Sequence, residues 1–134
     1  MESISLPAGL PKIYNGMFQN CYLKSIEIPS SVTDIGPYAY SGIKTQNLTI
    51  TIPASVTNIG SYAFDSIKNI NWIKVLNPIP ATLGIGVITI STSLYYSSPN
   101  VKIYVPDESV DAYKGATNWK AYANNIYPMS EFTE

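Results

Sequence analysis

Residues 26–64 read IEIPSSVTDIGPYAYSGIKTQNLTITIPASVTNIGSYAF, and one phrase occurs in them twice. IPSSVTDIGPYAY begins at Ile28, and IPASVTNIGSYAF begins at Ile52, 24 residues later. A more divergent copy, LPAGLPKIYNGMF, begins at Leu6, 22 residues before Ile28. Repeats of this period are typical of solenoids, in which one unit is too small to bury its own apolar face and stacks on its neighbours.

The three copies share apolar columns when they are aligned on their prolines. We expect the side chains of each column to stack from coil to coil and form a continuous core. Gly36 and Gly60 follow the isoleucine column, a position that favours a tight bend or a positive φ. The columns are Leu10, Val32 and Val56; Ile13, Ile35 and Ile59; Phe18, Tyr40 and Phe64; and Cys21, Ile43 and Ile67.

Short alternating segments precede the prolines and continue beyond the clear copies. Alternation with β-branched residues predicts strands with one buried face, and the following proline ends each strand. One strand per coil predicts a parallel sheet. The segments are Ile4-Ser5-Leu6, Ile26-Glu27-Ile28, Ile50-Thr51-Ile52, Ile73-Lys74-Val75 and Ile103-Tyr104-Val105.

Between residues 77 and 100 the repeat is expanded, since Val75 and Val105 are 30 positions apart. Thr82-Leu83-Gly84 reads as a distorted copy of the isoleucine-glycine segment. We expect Leu94-Tyr95-Tyr96 to restore the aromatic column and residues 87–91 to form an extra strand.

After Pro106 the sequence becomes helical in pattern. We expect SVDAYK to form a helix capped by Asp107 or Ser109 and ended by Gly115, and NWKAYANNI to form a second helix capped by Thr117. Together they predict a C-terminal cap that covers the last coil. The sequence shows no comparable N-terminal cap, which favours a cut from a longer array.

The repeat I-P-x-S-V-T-x-I-G-x-Y-A-F, with Cys21 three positions after the aromatic residue of the first copy, resembles the BspA-type leucine-rich repeat. The segment from Val105 to Tyr122 is similar to the V-P-x-x-x-V-x-A-Y-K…W-x-x-Y ending of that family. The resemblance implies an α/β repeat fold: a leucine-rich-repeat solenoid with a short-strand parallel β-sheet, a convex side of loops and turns, and a helical C-terminal cap. We expect a single domain over residues 1–134, with repeats at about 4–25, 26–49 and 50–72, an expanded repeat at 73–102, and the last strand and cap at 103–134.

Composition argues against several functional classes. Only 13% of residues are charged, the net charge is −1 and arginine is absent, so nucleic-acid binding is not expected. No apolar run approaches the roughly 18 residues of a membrane span. Histidine is absent, Cys21 stands in a column that isoleucine fills elsewhere, and no serine lies in a nucleophile motif, so we expect no enzyme, no cofactor and no metal.

The outward residues of the strands form the candidate binding site. One column is Ser5, Glu27, Thr51, Lys74 and Tyr104, and its neighbour is Ser3, Ser25, Thr49, Trp72 and Lys102. Aromatic residues beside cations are typical of binding hot spots. The alternative is that Trp72 packs against the 78–100 expansion. The predicted site residues are Trp72, Lys74, Lys102, Tyr104, Glu27, Thr49 and Thr51.

The resemblance implies a non-catalytic protein–protein interaction or adhesion module of a secreted or cell-surface bacterial protein, whose partner is a host or cell-surface protein bound on the concave face. Two alternatives stay open. One is glycan recognition through Trp72 and Tyr104, and the other is a structural stalk that spaces another domain from the cell.

Overall fold

The computed structural model describes residues 9–133, which coil into two parallel sheets. The first is a five-stranded sheet in which consecutive strands pair in parallel. The short-strand parallel sheet is thereby confirmed; the predicted strand Ile4-Ser5-Leu6, with Ser3, lies outside the described residues. The strands are β2 (Ile26–Glu27), β4 (Thr49–Ile52), β6 (Trp72–Val75), β8 (Lys102–Val105) and β9 (Ile126–Pro128).

A second, four-stranded sheet lies where loops and turns were expected. Each of its strands has two residues, too few for the alternation that marks a strand in sequence. Their second residues, the isoleucine column and Leu83, pair in register from coil to coil and are buried. The strands are β1 (Lys12–Ile13), β3 (Asp34–Ile35), β5 (Asn58–Ile59) and β7 (Thr82–Leu83).

The aromatic column forms part of the core between the sheets. Phe18 and Tyr40 stack with ring centroids 5.1 Å apart, and Tyr40 and Phe64 stack at 5.4 Å. In the next coil the column continues with Ile88, which forms a parallel bridge with Phe64.

The expectation that Leu94-Tyr95-Tyr96 restores the aromatic column was therefore wrong. Ile88 lies 24 positions after Phe64 and so keeps the repeat period, which leaves the extra residues of the coil beyond it. Leu94, Tyr95 and Tyr96 are all exposed, and residues 87–91 contribute only that isolated bridge instead of an extra strand.

The glycines after the isoleucine column serve close packing, not a positive φ. A Cβ atom on Gly60 would lie 2.5 Å from the backbone nitrogen of Pro37, and one on Gly84 would lie 2.4 Å from that of Ser61. Neither glycine is among the residues with positive φ. Adjacent coils touch backbone to backbone at this column, which leaves no room for a side chain.

The C-terminal cap is less helical than the sequence pattern predicted. Its α-helix α1 spans Val110–Gly115, preceded by a 3₁₀ helix at Asp107–Ser109. The second predicted helix is a 3₁₀ helix at Trp119–Asn125 that starts after Asn118, a residue with φ of 67°, rather than after Thr117. The chain then forms β9 and a final 3₁₀ turn at Met129–Glu131.

Side chains of the cap bind the backbone carbonyls that a further coil would have used. Trp119 Nε1 donates to Ala81 O at 2.8 Å, and Asn118 Nδ2 donates to Leu83 O at 2.7 Å. In the preceding coil the counterpart of Leu83 O, Ile59 O, accepts from Gly84 N at 2.8 Å, and the counterpart of Ala81 O, Thr57 O, accepts from Thr82 N at 2.9 Å. The cap thus satisfies the edge of the array as well as covering its apolar side chains.

Candidate functional site

The two predicted outward columns are real features of the five-stranded sheet. Glu27 pairs with Thr51, Thr51 with Lys74, and Lys74 with Tyr104. The neighbouring column runs from Thr49 through Trp72 to Lys102 in the same way. Glu27 on β2 lies two strands from Trp72, whereas Thr51 is on the adjacent strand in register with Lys74.

Trp72, Lys74 and Tyr104 converge on Phe132, a residue of the C-terminal tail. The ring of Phe132 meets Trp72 edge to face at a centroid distance of 5.1 Å, and Tyr104 at 5.2 Å. Lys74 Nζ lies 3.7 Å from the Phe132 ring centroid and 4.9 Å from that of Trp72. We call Trp72, Lys74, Tyr104 and Phe132 the aromatic patch; it combines edge-to-face packing with cation–π attraction.

A cleft of about 500 Å³ opens beside the aromatic patch. Four predicted site residues line it, and so do three residues that sequence reasoning did not select. The predicted ones are Thr49, Trp72, Lys102 and Tyr104, and the others are Asn71, Asn100 and Thr133.

Two expectations about these aromatic residues need correction. Tyr104 is only 5% exposed, because Phe132 covers it and Tyr127 of β9 lies beside it at 6.1 Å. Trp72 is half-buried, and the ring that packs on it belongs to Phe132 rather than to the 78–100 expansion.

Sequence reasoning missed Phe132 because the tail carries no repeat pattern that would place it. The strand that precedes Phe132, β9, could have been predicted from the sequence. Its residues Ile126-Tyr127-Pro128 follow Ile103-Tyr104-Val105 by 23 positions, which is one repeat period. In the structure the two segments pair in register. Extending the predicted strand series by one more repeat period would have placed the C-terminal tail beside the five-stranded sheet.

The aromatic patch carries recognition chemistry rather than catalytic chemistry. The patch and the cleft beside it present rings, ammonium groups, amides and hydroxyls, which pack, donate hydrogen bonds and attract anions. Within residues 9–133 no three side chains of His, Cys, Asp or Glu come together as metal ligands. Cys21 is a free thiol, half-buried against the core in its predicted column. None of the described helices has both the length and the apolar character needed to cross a membrane.

Comparison with known families gives one match. The family model for the BspA type leucine-rich repeat region fits residues 1–116 in six copies. A search of curated proteins finds no similar sequence. The matched span includes every strand of both sheets except β9, and it ends just beyond α1.

Proposed function

Because the chain belongs to the BspA-type leucine-rich repeat family, whose repeats form protein-interaction modules, we propose that it is a non-catalytic adhesion module of a secreted or surface-exposed bacterial protein. In this proposal it binds a host or cell-surface protein on the outer face of the five-stranded sheet. The contact is centred on Trp72, Lys74 and Lys102.

The observation that carries this proposal is the seating of Phe132. An aromatic side chain already occupies the space over Trp72 and Tyr104, with the Lys74 ammonium 3.7 Å from its ring centroid. A partner that presents an aromatic residue beside a carboxylate matches the same groups when it displaces Phe132, since its ring then packs on Trp72 and its carboxylate pairs with a lysine. The partner class we propose is thus a protein segment with aromatic and acidic residues.

The two alternatives receive less support from the same geometry. A sugar needs an open ring face on which to stack, and Tyr104 is buried beneath Phe132. A chain that acts only as a structural stalk does not require aromatic and cationic side chains to cluster on one face.

The proposal is tested by selecting binders from a random displayed-peptide library against the whole protein. We expect the selected peptides to be enriched in aromatic and acidic residues. Their affinity should fall by about tenfold in Trp72→Ala or Lys74→Gln, which corresponds to about 1.4 kcal/mol for one lost hot-spot contact. Lys114→Gln, an exposed lysine of α1 in the cap, is the matched control and should bind like the native protein.

Other outcomes count against the proposal. Peptides that bind the Trp72→Ala variant unchanged would place the contact elsewhere, and a library that yields no binders would favour the stalk. Binding on a glycan array that disappears in Trp72→Ala would favour the carbohydrate alternative. Antibody labelling of intact cells tests the surface location separately.

A further inference from the structure

A second cleft, of about 380 Å³, lies away from the aromatic patch. We call it the tyrosine cleft; its lining includes Tyr22, Lys44, Lys68, Tyr95 and Tyr96. Tyr22, Lys44 and Lys68 directly follow the column of Cys21, Ile43 and Ile67, so each coil contributes one of them. None of these residues takes part in the site proposed above.

The expanded coil builds one wall of the tyrosine cleft. Tyr95 and Tyr96 come from the extra residues of that coil, stay 66% and 60% exposed, and meet each other edge to face at 4.9 Å. Lys68 Nζ lies 4.0 Å from the Tyr95 ring centroid, which ties this segment to the preceding coil. This segment does not bury Tyr95 and Tyr96 in the core; it leaves both rings exposed to solvent, where they form a wall of the tyrosine cleft.

The floor of the cleft is built from short side chains. Asn20, Gly42 and Ser66 occupy successive coils, all with positive φ. The small size of Gly42 leaves room for the Asn20 amide, whose oxygen would collide with a Cβ atom at that position. Amide and hydroxyl groups are therefore presented between the tyrosine and lysine side chains.

The cleft has a positive lining. Lys44 and Lys68 line it, and none of the lining residues within 9–133 carries a carboxylate. Asp65, which is adjacent in sequence to the lining residue Ser66, accepts hydrogen bonds from the hydroxyls of Ser41 and Ser66. A ligand in the cleft thus meets two ammonium groups whose charge is not neutralised by a lining acid.

From this arrangement we propose that the tyrosine cleft binds a carboxylate-bearing carbohydrate. The apolar face of a sugar ring packs on Tyr22 or Tyr96, its hydroxyls bond with the Asn20 and Gln46 amides, and its carboxylate pairs with Lys44 or Lys68. Among the described residues that line the cleft, Ile43 alone is aliphatic. A peptide anchor needs a more apolar pocket than this, so the polar lining favours a hydroxyl-rich ligand over a protein segment.

The test is a titration of the whole protein by two-dimensional NMR with four small probes. Sialyllactose and digalacturonic acid carry the carboxylate in two kinds of sugar, and lactose and galactobiose are their neutral counterparts. We expect at least one acidic probe to shift the amide signals of residues around Lys44 and Lys68 with a dissociation constant of about 1 mM, and the neutral probes to bind at least about tenfold more weakly. Which acidic probe binds identifies the sugar class.

Variants assign the binding to the cleft. Tyr96→Ala and Lys44→Gln change exposed side chains, and each should weaken acidic-probe binding by about tenfold without changing the melting temperature. Lys12→Gln, exposed on β1, is the matched charge control, and Trp72→Ala should leave sugar binding intact. The proposal would be overturned by equal binding of the neutral probes, by unchanged binding in the cleft variants, or by the absence of shifts with every probe. None of these results bears on the proposal for the aromatic patch, because that proposal is tested by peptide binding to Trp72→Ala and Lys74→Gln.

Discussion

At the residue scale, the contact between adjacent coils limits one position to glycine. Gly36, Gly60 and Gly84 lie against backbone atoms of the preceding coil, which cannot rotate away as a side chain can. The sequence showed that glycine recurs and suggested a tight bend or a positive φ as the cause; the positive φ was wrong. Spacing within one chain does not reveal how closely a neighbouring backbone passes.

Gly60→Ala should therefore destabilise the protein by about 3 kcal/mol, the upper part of the range for overpacking a rigid core. The added Cβ atom would lie 2.5 Å from Pro37 N, so the coils must separate locally. The measurement is urea unfolding followed by circular dichroism. Gly115→Ala is the matched control, since its Cβ atom would meet nothing within 4 Å; a similar loss in both variants would contradict the packing explanation.

Two tyrosines show where residue-level prediction fails. Tyr38 and Tyr62 adopt φ of 58° and 61°, at the position where the flanking coils have Gly16 and Gly86. Their rings stack at 5.2 Å, and this stacking helps to offset the backbone strain. No propensity rule places tyrosine in the left-handed region, so only the coil-to-coil register reveals the shared conformation.

At the element scale, the cap could be located from sequence but its form could not. The pattern V-P-x-x-x-V-x-A-Y-K…W-x-x-Y marked the correct segment, and α1 overlaps the first predicted helix but continues through Gly115, the residue expected to end it. The second segment is 3₁₀ because its side chains must reach the carbonyls of the last coil. Asn125 Nδ2, for example, donates to both Pro99 O and Val101 O. Apolar spacing does not encode those hydrogen bonds.

Trp119→Phe tests the hydrogen-bonding role of the cap. The ring volume is largely kept, but the buried carbonyl of Ala81 loses its donor at 2.8 Å, so the free energy of unfolding should fall by about 1–3 kcal/mol. Lys120→Ala changes the adjacent, exposed residue and should have little effect on chemical denaturation. Equal stability of Trp119→Phe and the native protein would mean that burial of an aromatic ring at this position, rather than the indole N–H group, holds the cap.

The expanded coil was also located in the sequence but misread. Its excess length was evident from the separation of Val75 and Val105. The repeat length alone, however, does not show which residues of the coil occupy the aromatic column. The in-register bridge between Phe64 and Ile88 decides this, and it frees Tyr95 and Tyr96 for the tyrosine cleft.

At the scale of the whole molecule, buried tyrosines make stability depend on alkaline pH. Burial raises the pKa of Tyr113 from 10.0 to about 12, and burial likewise raises the pKa of Tyr40 and Tyr122. The folded state favours the neutral phenol, so this stability is complete below pH 10.0, the unfolded pKa, and is lost as pH rises toward about 12.

Alkaline titration followed by tyrosinate absorbance and circular dichroism checks this prediction. The buried set should ionise together with unfolding between about pH 10 and pH 12. Ionisation of every tyrosine before any loss of circular dichroism would contradict it.

The pairing of each coil with only its neighbours also bears on how the gene can change. Duplication of the codons for residues 26–49 would place a copy of β2 and β3 beside segments that already pair with such partners, and would lengthen the array by about 4.8 Å. The coil that contacts the cap cannot be duplicated in this way, because its backbone carbonyls at Ala81 and Leu83 accept hydrogen bonds from side chains of the cap. Unequal recombination can therefore add or remove units on the N-terminal side of the last coil, while the junction between that coil and the cap is inherited as one block.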